Sequence, residues 1–155
     1  MDLSTNSLAE NLGVALSQRS AKVTAAESCT GGGVAHAITA VAGSSQWFDC
    51  GFVTYANSAK HRLLGVPEEL LVAQGAVSEA VVRAMVTGAA AIAKADYAVA
   101  ISGIAGPGGG TDDKPVGTVW FAWHSPDGVS AKRYLFAGDR TAVREQAIKI
   151  SLQEL

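Results

Sequence analysis

The chain has few cysteines, no long apolar run and no excess of charge of either sign, and each shortage excludes something. Cys29 and Cys50 are the only cysteines in 155 residues, too few for a disulfide framework. His36, His61 and His124 stand far apart, and no CxxC or HxxxH pair accompanies them, so the spacing of metal ligands is missing. Neither a metal nor a cofactor is expected. No segment reaches the roughly 18 to 20 consecutive apolar residues of a membrane span. Twelve basic residues against fourteen acidic ones give a net charge of -2, and the basic residues are scattered, which argues against a nucleic-acid partner. The opening "MDLSTNSLAENLG" lacks the basic flank and apolar core of a signal peptide, so a cytoplasmic location is expected. There is no internal repeat and no linker.

Hydrophobic residues make up 48% of the chain and charged ones 17%, in a length that buries a full core without staples. One domain, residues 1–155, is the expectation. Leu8, Leu12 and Leu16 recur at helical spacing, predicting a helix that ends near Arg19. "KVTAAES" reads as a strand, and Gly31 to Gly33 with "VAHAITAVAG" behind them read as a helix that opens on glycines. "CGFVTYA" predicts a second strand, followed by short helices in "NSAKHRLLGV" and "PEELLVAQG". A longer helix opens at Ser78, with Val82, Met85, Ala89 and Ile92 on its apolar face. "YAVAISG" is continuously apolar, as a strand covered on both faces must be. "VGTVWFAWHS" and "SAKRYLFAG" flank the turn residues Pro126, Asp127 and Gly128 and predict an antiparallel hairpin, and Asp139 caps a last helix. The predicted fold is a three-layer α/β/α domain with a mixed, mainly parallel sheet and one antiparallel hairpin.

In such sheets ligands bind beyond the carboxyl ends of the strands, and two glycine-rich loops, "SCTGGG" and "GIAGPGGGTDDKP", leave strands at that end. Glycines at a helix start can bring backbone N–H groups close to an anion, although neither loop carries a standard phosphate fingerprint and tight turns alone would also explain them. Ser28, at the junction of strand and helix, is either an exposed nucleophile or a helix cap. A nucleophile needs a base, and His36 and His124 are poorly placed for that role. Lys60 can act as one if burial strips its proton, and is otherwise a solvated helix lysine. Cys29 is a rival nucleophile or an ordinary buried cysteine, with a redox sensor built on it as a further reading. Ser45 and Tyr55 could share a pocket with Lys60. Arg140 is a phosphate partner or a solvated charge.

"AESCTGG", "GFVTYANSAK", "GAVSE", "SGIAGPGGGT", "KPVGTVWFA" and "GDR", in this order, resemble the C-terminal domain of competence/damage-inducible protein CinA, from about Leu8 to the end. The resemblance implies hydrolysis of the carboxamide of nicotinamide mononucleotide, giving nicotinate mononucleotide and ammonia in pyridine nucleotide recycling, by metal-independent serine-lysine chemistry. It implies Ser28, Ser45, Tyr55 and Lys60 as the catalytic set, with Ser28 or Ser45 attacking, and Arg140 as the phosphate ligand. Thr30, Gly31 and Gly32 on the first loop and Gly103, Ala105 and Gly106 on the second are the expected substrate-binding positions. The expected partner is the small-molecule substrate alone, apart from self-association, with a homodimer favoured. A non-catalytic nucleotide-binding module is the alternative.

Overall fold

A computed structural model describes residues 4–155. Helix α1 (Thr5–Arg19) starts where the Ser4 hydroxyl accepts the Ser7 N–H at 3.1 Å. Strand β1 (Val23–Glu27) is buried along its length and runs through a glycine turn into α2 (Gly33–Thr39). A single 3₁₀ turn (Ser44–Gln46) precedes β2 (Phe52–Val53). Helices α3 (Asn57–Leu64), α4 (Glu68–Gln74) and α5 (Glu79–Ala93) follow. Strands β3 (Tyr97–Gly103), β4 (Thr118–Ser125) and β5 (Gly128–Leu135) lead to α6 (Arg140–Gln153).

The five strands form one mixed sheet in the order β2-β1-β3-β4-β5. β2 and β3 flank β1 in parallel, and β4 and β5 are added as an antiparallel hairpin. Alternate residues of the central strands feed two separate cores. Val23, Ala25, Val99, Ile101 and Phe121 face α1, α2 and α6, whereas Ala26, Ala98, Ala100 and Ala122 face α3, α4 and α5. The alanine face lets α5 lie close to the sheet. Gly88 continues that fit, because a Cβ there would collide with the Leu64 carbonyl at the end of α3. The approach fixes the helix that carries Lys60.

Two elements depart from the expectation. Burial along α5 ends at Ala90, and Ile92 is 54% exposed because the last turn has left the core. Only Phe52 and Val53 of "CGFVTYA" pair as strand, since beyond them the carbonyls of Thr54 and Tyr55 turn toward the Lys60 ammonium instead of a ladder.

Candidate active site

Everything chemical gathers where β1, β2 and β3 end. Ser28 follows β1 and donates its N–H to the Ile101 carbonyl of β3 at 3.0 Å, so the sheet itself holds it. The chain then turns sharply through Gly31 (φ 60°) and Gly32 (φ 100°), left-handed conformations that glycine adopts without strain. Within this turn the Gly31 N–H goes to the Ser28 carbonyl and the Gly33 N–H to the Thr30 carbonyl, both at 3.0 Å. Glu27, 1% exposed, places its carboxylate over the start of α2, accepting the Val34 and Ala35 N–H groups at 2.8 and 3.0 Å. The helix N-terminus therefore already holds an anion, supplied by the chain. From α6, Arg144 donates to the carbonyls of Cys29 and Thr30 at 3.1 and 3.2 Å and clamps the turn from outside.

Lys60, on the second turn of α3, is only 1% exposed. Its Nζ lies 3.0 Å from Ser28 Oγ, 2.8 Å from the Thr54 carbonyl and 3.2 Å from the Tyr55 carbonyl. Burial pulls its pKa from 10.5 down to about 8, and no carboxylate contacts the ammonium to oppose this. Once neutral, the amine has two hydrogens and one lone pair. The two carbonyls can only accept, so they take the hydrogens, and the lone pair is left facing the Ser28 hydroxyl. An amine so placed can take a proton from that hydroxyl.

The cavity above this pair has a volume of about 300 Å³. Ser28, Lys60 and Ser102 lie on its lining, with Ala76, Val77 and the loop from Gly103 to Gly106 as walls. Arg140 closes the rim by donating to the Gly106 carbonyl at 2.7 Å and to the Tyr55 hydroxyl at 2.9 Å. It thereby ties the segment after β2 to the glycine loop after β3. A shallow groove between α1 and residues 40–47 is larger, at about 790 Å³, but brings no nucleophile and base together.

A family model described as the CinA C-terminal domain matches residues 5–155. The chain belongs to the CinA C-terminal domain family. It is 58% identical over 149 residues to "Nicotinamide-nucleotide amidohydrolase PncC" of Escherichia coli (strain K12), covering 96% of this chain and 90% of the relative. To the protein of the same name in Pseudomonas putida it is 56% identical over 148 residues, 96% of this chain and 92% of the relative. Among solved structures, competence damage-inducible protein A (ComA) of Klebsiella pneumoniae subsp. pneumoniae MGH 78578 superposes with a TM-score of 0.95 at 43% identity. The match covers 98% of this chain and 94% of that one.

Of the site residues expected from sequence, this CinA domain brings Ser28, Tyr55, Lys60 and Arg140 to one cavity, with Gly103, Ala105 and Gly106 on its wall. Tyr55 contributes through two ends, its carbonyl to Lys60 and its hydroxyl to Arg140. Ser45 is elsewhere. It is exposed in the 3₁₀ turn beside Trp47, whose carbonyl accepts the N–H of Val23, the first residue of β1. That is the opposite end of the strand from Ser28, roughly 17 Å away for five residues at ~3.3 Å each.

Thr30, Gly31 and Gly32 form the turn beneath the site and do not line the cavity, because Glu27 takes the helix start they were expected to offer. Cys29 is 5% exposed, and burial pushes its thiol up to about 11, against the pull of its own backbone N–H and of Arg144. Cys29 lines the same cavity as Ser28 and Lys60, but a thiol raised this far is protonated near neutral pH, which counts against it as nucleophile and as redox sensor. Among the described residues, no three His, Cys, Asp or Glu side chains converge as a metal-binding group, and no helix is long and apolar enough to cross a membrane. Sequence reading missed Glu27, Ser102 and Arg144 as site residues. An acid directly before a Ser-x-x-Gly-Gly turn was a usable signal for Glu27, whereas Arg144 left none.

Proposed function

We propose that this chain hydrolyses the carboxamide of nicotinamide mononucleotide to nicotinate mononucleotide and ammonia, with Ser28 as nucleophile and Lys60 as general base and then acid. The observation that carries the reading is the 3.0 Å contact between Lys60 Nζ and Ser28 Oγ, with both remaining ammonium hydrogens committed to carbonyls. The names of the PncC relatives supply the substrate class.

In the reaction, neutral Lys60 takes the Ser28 proton as Oγ attacks the carboxamide carbon. The carbon–nitrogen bond breaks as Lys60 returns that proton to the nitrogen, and ammonia leaves behind an ester on Ser28. Water, deprotonated by Lys60, attacks the ester, Lys60 returns that proton to the departing Ser28 Oγ, and the acid leaves as the carboxylate after losing its own proton to solvent. A primary amide is a poor electrophile, so this chemistry needs an activated nucleophile and a proton for the leaving group, and one buried lysine supplies both. The apolar stretch Ala76–Val77 suits the pyridine ring, and Arg140 at the rim suits the phosphate. The domain works as one unit of residues 1–155 on a small molecule in the cytoplasm, with a homodimer as the favoured assembly.

The test is ammonia release from nicotinamide mononucleotide by the purified protein, by Ser28→Ala and by Lys60→Ala, in the presence and absence of a chelator. Turnover in the wild type, loss of most of it in both variants and indifference to the chelator are expected. A wild type that binds the nucleotide without releasing ammonia is a binding module instead.

A further inference from the structure

Amide hydrolysis requires hydrogen-bond donors where the carbonyl oxygen becomes an anion, and the turn carrying Ser28 has few to spare. The Gly31 and Gly33 N–H groups are bound to carbonyls of the same turn, and those of Val34 and Ala35 to Glu27. β1 and β3 run parallel with Glu27 opposite Ile101, so the next residues, Ser28 and Ser102, lie side by side on neighbouring strands, ~4.8 Å apart. Alternation puts both side chains on the face of Ala26 and Ala100, and Lys60 reaches Ser28 from a helix on that face.

The sheet order then arranges the three groups. Lys60 is anchored on Thr54 and Tyr55, just past β2, whereas Ser102 is on β3, so they flank Ser28 from opposite sides. Ser102 is 2% exposed and lines the cavity, and none of the hydrogen bonds that tie Ser28, Lys60, Tyr55 and Arg140 together uses its hydroxyl.

We propose that Ser102 is a catalytic residue whose hydroxyl hydrogen binds the carboxamide oxygen and stabilises the oxyanion formed when Ser28 attacks. The assignment rests on the Ser28–Lys60 hydrolysis proposed above. The amide nitrogen must face the group that protonates it, which is Lys60. The oxygen then falls on the other side of Ser28, over β3, where Ser102 stands. As Oγ of Ser28 bonds to the carbon, the carbonyl electron pair moves onto this oxygen. It returns when the carbon–nitrogen bond breaks and the nitrogen departs as ammonia with the proton from Lys60.

The experiment compares wild type, Ser102→Ala and Ser102→Cys for ammonia release from nicotinamide mononucleotide and from its thioamide analogue, with Ser28→Ala alongside. A thiol nearly fills the volume of a hydroxyl but is a weak donor, so it separates packing from donation. Both Ser102 variants are expected to lose about 100-fold in kcat, with little change in KM or Tm. The wild-type preference for the oxygen substrate over the sulfur one, which is a poorer acceptor, is expected to shrink in both. Wild-type kcat in Ser102→Ala overturns the proposal, and recovery in Ser102→Cys overturns it in favour of packing. If Ser28→Ala turns over like the wild type, the Ser28–Lys60 reading falls first and this one with it.

Discussion

Lys60 shows most clearly how one residue's environment decides its chemistry. Its pKa falls from 10.5 to about 8 on burial, so between those values the unfolded chain binds more protons than the folded one. Folding is penalised in full below pH 8, and the penalty fades as pH rises toward 10.5. Lys60→Met carries no such penalty. The wild type is therefore expected to gain about 2.5 kcal/mol relative to the variant between pH 7 and pH 10, measured by denaturant unfolding of both at each pH. A difference that stays constant with pH would mean that Lys60 keeps an ordinary pKa.

Arg140 is the complementary case, a cation at the rim and not on the floor. The phosphate lies far from the scissile bond, so its binding is shared between ground and transition states. Arg140→Ala is expected to raise KM for the mononucleotide about 10-fold to 100-fold with a smaller effect on kcat, and Lys to rescue only in part. Nicotinamide riboside lacks the phosphate and should be a poor substrate that the substitution makes no worse. Equal losses with both compounds would show that Arg140 serves the site by tying Tyr55 to Gly106.

At the scale of elements, the site depends on a helix start that the chain closes by itself. Glu27 joins β1 to α2 through its carboxylate, and its backbone carbonyl accepts the N–H of Thr54 at 2.8 Å, the residue whose carbonyl, with that of Tyr55, holds Lys60. Glu27→Gln replaces one acceptor oxygen with a donor that faces another N–H. It is expected to cost about 2 to 3 kcal/mol, the worth of a buried charged hydrogen bond, and to lower Tm by roughly 5 to 10 °C in a domain of this size. Because the Ser28 turn loosens with it, kcat should fall while KM holds. A variant with wild-type Tm would show that the cap is dispensable. The helices and the hairpin were legible in sequence because they follow from periodicity, capping and one turn signal. The short β2 was not, since its end is set by Lys60, a residue of the next helix folding back onto its carbonyls. Glu27 stood in plain view before the glycine turn, but its role as the cap of α2 shows only once that helix is placed above the strand.

For the whole molecule, the three-layer order and the location of the site followed from the alternation of strands and helices and from the glycine loops at strand ends. Pairing Ser28 with Lys60 needed the fold, because 32 residues separate them and only the parallel addition of β2 to β1 brings them within 3.0 Å. The same fold separates Ser45 from them, which its closeness in sequence to Tyr55 and Lys60 could not reveal. The central claim is that neutral Lys60 activates Ser28, and the pH dependence of kcat/KM for nicotinamide mononucleotide tests it most directly. Measured from pH 6.5 to 9.5, above the substrate's phosphate titration near 6, kcat/KM is expected to rise with unit slope and level off with an apparent pKa of about 8. About a tenth of the limiting value remains at pH 7. A profile that is flat across this range, or that falls as Lys60 loses its proton, would contradict the account.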